Sequence, residues 1–246
     1  MKLLSGLSLL ILLNASPVFG QKKTDPKETE VWEPVPKIVQ PGNTNDQPPS
    51  DAIILFDGKN TNEWLGREGN AIKWKIDNNA MVVTKGSGDI HTRRGFGDCQ
   101  LHIEWRTPSE ISGEGQGRGN SGIFFMRRYE LQVLDSYNNV TYSNGQAGSI
   151  YKQHIPLVNA SKKPGEWQSY DVIFIAPRFN ADSSLKSPAR ITVFHNGVLI
   201  QNNVEIKGTT EYIGDPVYKK HEEKAGIQLQ DHGNPTAFRN IWIREL

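Results

Sequence analysis

The chain has 246 residues, with 28 Lys and Arg against 27 Asp and Glu, a formal net charge of +1. That balance gives no electrostatic case for nucleic acid, which demands a clustered basic surface, so no nucleic-acid partner is expected. With 36% apolar residues including 6 Trp, 9 Phe and 7 Tyr, one sizeable core is available, and a single domain of roughly 200 residues is expected, a length at which β-sandwiches commonly stay undivided.

Met1 to Gly20 read as a secretory signal peptide: Lys2 supplies the positive end, and Leu3 to Leu13 is an apolar run too short to span a bilayer. Val18 and Gly20 stand at the −3 and −1 positions, which places cleavage after Gly20; an uncleaved anchor is the alternative. No cysteine follows the run, so there is no thiol to lipidate. The expected localisation is secreted or periplasmic in a bacterium, without membrane insertion after cleavage. Residues 21–50 carry Pro26, Pro34, Pro36, Pro41, Pro48 and Pro49 among polar residues and read as a Pro-rich disordered linker. The domain is expected over 51–246. Its one cysteine, Cys99, has no partner for an internal disulfide and reads as a small buried hydrophobe at the start of a strand.

Ile53–Phe56 is a predicted strand, with Asp57-Gly58 as its turn. Trp74 and Ile76 form the next, and Met81 to Thr84 is its hairpin partner. A short strand at Ile90 to Arg93 leads through Gly95–Asp98 into a long one from Cys99 to Thr107. The glycines at 113, 115, 117, 119 and 122 suggest a phosphate loop, but neither a Gly-Lys-Ser/Thr nor a following helix is present, so a lid or strand connector is expected. Gly119 to Asp135 reads as two strands turning near Arg127–Arg128. Later strands are expected at Ser149–Tyr151, Trp167–Ala176, Arg190–His195 and Val198–Gln201, the last pair joined by Asn196-Gly197. Residues 205–223 read as irregular, and Lys224 to Leu246 holds the last two strands.

About a dozen short strands, frequent turn residues and no convincing amphipathic helix indicate an all-β fold, sandwich or barrel. Several strands alternate polar and apolar residues. Glu130 and Gln132 share one face against Tyr129, Leu131 and Val133, while Gln100, His102, Glu104 and Arg106 alternate with Leu101, Ile103 and Trp105. Gln228, Gln230 and His232 repeat the pattern, and Ile241 and Ile243 share a face of the last strand. Gln, His, Glu and Arg are directional donors and acceptors, so such strands laid side by side make a polar surface that reads hydroxyl-rich ligands. A merely solvated sheet face is the plainer reading of any one of them.

The ordered set Leu55-Phe56-Asp57-Gly58-Lys59-Asn60 with Trp64, Gly97-Asp98 before Glu104-Trp105-Arg106, Gly119-Asn120-Ser121-Gly122-Ile123, Tyr129 to Asp135, Pro164-Gly165-Glu166-Trp167, Asn196-Gly197, and Gly226-Ile227 through Leu229-Gln230-Asp231-His232-Gly233 to Phe238-Arg239-Asn240-Ile241 resembles the 3-keto-disaccharide hydrolase domain family. The resemblance covers nearly all of 52–246. It implies a two-sheet antiparallel jelly-roll sandwich of the concanavalin A-like lectin/glucanase type, and a secreted hydrolase or lyase acting on glycosides oxidised at carbon 3. A non-catalytic carbohydrate-binding module is the alternative, and a structural or adhesive surface protein a third reading.

Ordinary glycosidases need two carboxyl groups about 5–5.5 Å apart when retaining or about 6.5–9.5 Å apart when inverting. Here Glu130 has Gln132 where a second acid would sit, although Glu104 on another strand offers to complete a pair. A 3-keto sugar needs less, because the ketone acidifies the carbon-2 hydrogen: one base removes it, the carbon-1 substituent leaves by elimination, and water adds afterwards. Glu130 and His232 are the expected catalytic residues, and Glu104, Arg127, Gln132, His154 and Gln230 the expected substrate contacts. The cofactor is open, a divalent metal being possible with Asp135 and His154 as candidate ligands, although no compact ligand spacing is present.

Overall fold

The computed structural model describes residues 24–246. The signal-peptide reading of Met1–Gly20 lies outside the described residues, as do 21–23 of the linker. The chain forms two compact units, ending and beginning at Ile38 and Val39. In the first, Pro26–Thr29 make one 3-10 turn, and the Asp25 carboxylate caps it by accepting from the Lys27 backbone N–H at 3.0 Å. No helix among the described residues is long and apolar enough to cross a membrane.

The second unit is a sandwich of antiparallel strands. In chain order they are β1 (Ile53–Phe56), β2 (Trp64–Leu65), β3 (Lys75–Asp77), β4 (Ala80–Val82), β5 (Ile90–Thr92), β6 (Cys99–Arg106), β7 (Ser121–Phe125), β8 (Tyr129–Val133), β9 (Gln168–Ile175), β10 (Arg178–Phe179), β11 (Leu185–Ser187), β12 (Arg190–His195), β13 (Val198–Glu205), β14 (Gln228–Leu229) and β15 (Ala237–Glu245). The larger sheet runs β13-β12-β9-β6-β15-β4-β3, with β1 also paired to β15; the smaller runs β2-β5-β14-β7-β8. A separate hairpin joins β10 to β11.

Period-two alternation builds the core, as expected for strands with one packed face. Leu101, Ile103 and Trp105 of β6 and Tyr170, Val172 and Phe174 of β9 point inward, as do Ile123 and Phe125 of β7 and Tyr129, Leu131 and Val133 of β8. Across the gap Phe174 stacks on Phe125 at 4.8 Å, and the Tyr170 hydroxyl donates to the Gln132 carbonyl at 2.9 Å. These contacts lock the site-bearing sheet onto the larger one. Burial of one such aromatic is worth roughly 1.5–3 kcal/mol.

Two turns show how local chemistry sets the register. Asn196 and Gly197 adopt φ 53° and 79°, the left-handed pair that a tight hairpin requires and that the Asn-Gly dipeptide tolerates best. In β15 the register slips between Arg239 and Trp242, and Asn240 takes φ 45°. This bulge puts Phe238 and Ile241 both into the core despite their odd spacing, and then restores Ile243 to the same face.

The chain from 39 to 50 lies on the larger sheet although its composition reads as linker. The Asp46 carbonyl accepts from the side chains of Asn240 at 2.9 Å and Trp242 at 3.1 Å. Gln40 and Ser50 close the segment through two further hydrogen bonds.

Candidate active site

The smaller sheet turns a polar row outward. Its register places Leu65, His91, Gln228, Phe124 and Glu130 side by side across the strands, and the next row sets Gly122 opposite Gln132. Gln230 joins that second row through its backbone N–H to the Gly122 carbonyl at 3.0 Å. A cleft of about 710 Å³ opens over these rows, with Glu130, Gln132, Gln230 and His232 all in its lining. Both expected catalytic residues and two of the five expected substrate contacts therefore come together.

Glu130 is the chemical centre of the cleft. It is only 5% exposed, and no cation pairs with it among the described residues. Burial, followed by the negative Asp89 nearby, pushes its carboxyl up to about 8. Its backbone is held from both sides: its N–H donates to Thr210 Oγ1 at 3.0 Å and its carbonyl accepts from the Tyr151 N–H at 3.2 Å. Gly122 makes room for the carboxyl, because a Cβ there would stand 2.5 Å from Glu130 Oε1.

The Gln132 amide ends 3.1 Å from Glu130 Oε1. A protonated Glu130 donates to the amide oxygen; an ionised one accepts from the amide nitrogen after a half-turn of the group. Gln132 therefore serves both protonation states, which a second carboxylate could not. The Gln230 Oε1 is buried without a partner among the described residues, and its residue lies in the cleft lining, so a small turn of the amide would present a free acceptor to a ligand hydroxyl. His232 is exposed at the cleft, in the connection from β14 to β15.

The remaining expected residues lie elsewhere. Glu104 belongs to β6 of the larger sheet, where its carboxylate accepts from Arg239 Nε at 2.6 Å and Asn240 Nδ2 at 2.8 Å. Burial works against its charge, but hydrogen bonds from His102, Asn240 and Arg239 outweigh it and hold the carboxyl down at about 2. It cannot complete a carboxylate pair with Glu130 from the opposite sheet. The polar strands thus divide between two sheets instead of forming one surface.

Arg127 sits in the β7–β8 turn, which spans 126–128, with φ 58°. It lines a neighbouring basic pocket with His91, Arg128 and Lys224, and its Nε donates to Gln228 Oε1 of the sheet row at 3.4 Å. His154 stands beside the Glu205 carbonyl, its Nε2 2.6 Å away. Asp135 is occupied by Arg118 Nε at 2.7 Å and the Tyr137 N–H at 3.1 Å. Asp135 and His154 share no site, and no group of three or more His, Cys, Asp or Glu able to hold a metal occurs among the described residues. The donor set does not fit the divalent ion that the sequence left open.

Tyr142, Tyr151 and Tyr212 also line the cleft, with Gln116, Asn120 and Phe124. Sequence reading missed all six. Phe124 alternates with buried neighbours and was visible as an outward residue; the tyrosines lie in connections without periodicity, where nothing in the sequence marks a shared wall.

The fold is that of an all-β, concanavalin A-like sandwich, shared with glycosyl-hydrolase-like structures. The chain belongs to the 3-keto-alpha-glucoside-1,2-lyase-like domain family, whose match runs over residues 51–244. A curated relative, the 3-keto-disaccharide hydrolase of Bacteroides thetaiotaomicron, is 26% identical over 81% of each chain. A solved Parabacteroides distasonis structure, provisionally named a glycosyl hydrolase, is 51% identical, covers 92% of this chain and 99% of its own, and superposes with a TM-score of 0.87. A second from the same organism, similarly named, shares the fold at 20% identity and a TM-score of 0.58, over 80% of this chain and 94% of its own.

Proposed function

We propose that the protein cleaves the glycosidic bond of 3-keto-glucosides, with Glu130 as the base that removes the carbon-2 proton. The observation that carries this reading is the Glu130 carboxyl: buried, without a counter-charge among the described residues, and set in the floor of an open cleft whose other side-chain polar groups are amides, hydroxyls and an imidazole. A group kept near about 8 exchanges a proton at neutral pH, which neither a surface glutamate nor a salt-bridged one does.

The chemistry closes without a second carboxylate. Glu130 takes the proton from carbon 2, and the electron pair moves into the ketone as an enolate. The enolate collapses, the carbon-1 to oxygen bond breaks, and the leaving oxygen takes a proton from the now neutral Glu130 or from His232. Water then adds at carbon 1, with return of a proton to carbon 2. Gln132, Gln230 and Asn120 orient the hydroxyls, and His232 is the group present to donate toward the enolate oxygen. The family match and the curated relative's name support the substrate class. The alternative of a binding module without catalysis leaves the uncompensated burial of Glu130 with no purpose.

The N-terminal pattern of Lys2 and the Leu3–Leu13 run supports export, and with it a reaction outside the cytoplasm after cleavage near Gly20. Product analysis on a 3-keto-glucoside and its unoxidised parent tests the function. Cleavage of the keto compound alone is expected; cleavage of the parent, or of neither, overturns it.

A further inference from the structure

The cleft is chemically divided. Gln132, Gln230, Asn120 and His232 bring polar groups to its lining, and Tyr142, Tyr151 and Tyr212 bring aromatic rings. The tyrosines come from two separate connections, yet one side chain gathers them. Lys152 Nζ lies 4.3 Å from the Tyr212 ring centre, 5.7 Å from that of Tyr151 and 5.9 Å from that of Tyr142. It also donates to the Tyr212 carbonyl at 2.5 Å, tying one connection to the other. Both connections are registered on Glu130 itself, through the Tyr151 N–H and Thr210 Oγ1. The aromatic wall is therefore built at a fixed place beside the proposed base.

Two of its three hydroxyls and its ammonium are engaged. The Tyr142 and Tyr151 hydroxyls lie 2.6 Å apart in a mutual hydrogen bond, and the Lys152 ammonium is taken up by the Tyr212 carbonyl. Ring surface and the Tyr212 hydroxyl are what this part of the cleft has left to offer. Tyr212 is 71% exposed, and its chain neighbour Ile213 is 83% exposed. Exposed aromatic side chains in the lining of a cleft mark a contact surface for an apolar ligand.

We infer that this wall is the leaving-group subsite, and that it takes a planar, apolar aglycone such as an aryl group in preference to a second sugar. A sugar would bring hydroxyls to a surface with few free partners for them, whereas an aromatic ring stacks on tyrosine faces and loses nothing by leaving its edge dry. The inference rests on the proposed cleavage only for the orientation of the substrate, its carbon-1 substituent toward the tyrosines.

The test is calorimetric titration of the Glu130→Gln protein, whose slowed turnover leaves binding to be read, with phenyl 3-keto-α-glucoside, its methyl counterpart and a 3-keto-disaccharide. The phenyl compound is expected to bind at least ~10-fold more tightly than either of the others. Adding Tyr212→Ala brings the phenyl-to-methyl ratio to within about twofold, and Tyr212→Phe, which keeps the ring face, retains it. A disaccharide that binds as tightly as the phenyl compound, a ratio untouched by Tyr212→Ala, or no binding of any of the three overturns the inference. Failure of the wild-type protein to cleave any 3-keto-glucoside would instead overturn the proposed reaction while leaving this order of affinities to be read.

Discussion

Glu130 and Glu104 look alike in the sequence, each an acid alternating with buried apolar neighbours on a strand, and the structure gives them opposite surroundings. Glu104 meets Arg239, Asn240 and, at 3.8 Å, His102, whose Nδ1 lies 2.6 Å from Asp171. Arg239 in turn lies over the Trp167 ring, 4.1 Å from its centre. Glu130 has a glutamine and a void where Glu104 has a guanidinium. One carboxyl is held near about 2 and the other near about 8. A polar strand face that is cross-linked by opposite charge is architecture; one that is left uncompensated is available for a proton.

The sharpest break of that comparison is Glu130→Gln. Turnover on a 3-keto-glucoside should fall about 10²–10⁴-fold, while the fold becomes more stable at alkaline pH. The sign follows from linkage: the folded protein keeps a proton on Glu130 that the unfolded chain loses at 4.5, so wild-type stability from this group falls as pH rises from 4.5 to about 8. The substitution removes that slope, on the order of a few kcal/mol at pH 8. A melting series from pH 5 to pH 9 on both proteins checks it; parallel curves would return Glu130 to the role of a strand residue.

Glu104→Gln should do the reverse, costing about 1–3 kcal/mol of stability with turnover within a small factor of the parent. Its contribution is present above 4.5 and lost as pH falls through about 2. For His102, burial opposes the charge but Asp171 and Glu104 raise it to about 9, so its contribution is full below 6.5 and lost as pH rises through 9. The cluster therefore stabilises most between 4.5 and 6.5. Denaturant melts at pH 3, 5.5 and 9 read this directly, and a large activity loss in Glu104→Gln would undo the contrast.

A smaller effect is expected from Gly122→Ala, whose Cβ would meet Glu130 Oε1 at 2.5 Å and the Phe124 ring at 2.8 Å. Displacing the carboxyl should lower turnover roughly tenfold, with about 1–3 kcal/mol of overpacking cost. The mildest test leaves the protein unaltered: wild-type kcat/KM should climb with pH and level off near about 8, as a base requires. A falling limb there would make Glu130 the acid instead.

The strands and their inward faces were legible because alternation is a local property. Leu101, Ile103 and Trp105, or Tyr129, Leu131 and Val133, announce a buried face without reference to the rest of the chain. Which sheet each strand joins is not local. Gln228 pairs with His91 and with Phe124 from far along the chain, and β14 and β15, adjacent in sequence, go to different sheets. That is why Glu104 read as a companion of Glu130. It is also why Gln132 and Gln230 were found and Tyr142 and Tyr212 were not: the amides lie on or beside strands, and the tyrosines are brought together by a lysine with φ 59° in a connection without period.

The segment from 39 to 50 carries a practical lesson about where this domain starts. The family match begins at 51, but the Asp46 carbonyl that receives the Asn240 and Trp242 side chains lies before it. A chain begun at 51 would leave the Trp242 indole N–H without its acceptor and open its ring, only 3% exposed, beside the already exposed Ile54. Such a truncation is expected to fold around the same core but to self-associate, so its colloidal behaviour, rather than its melting point, would report the missing cover.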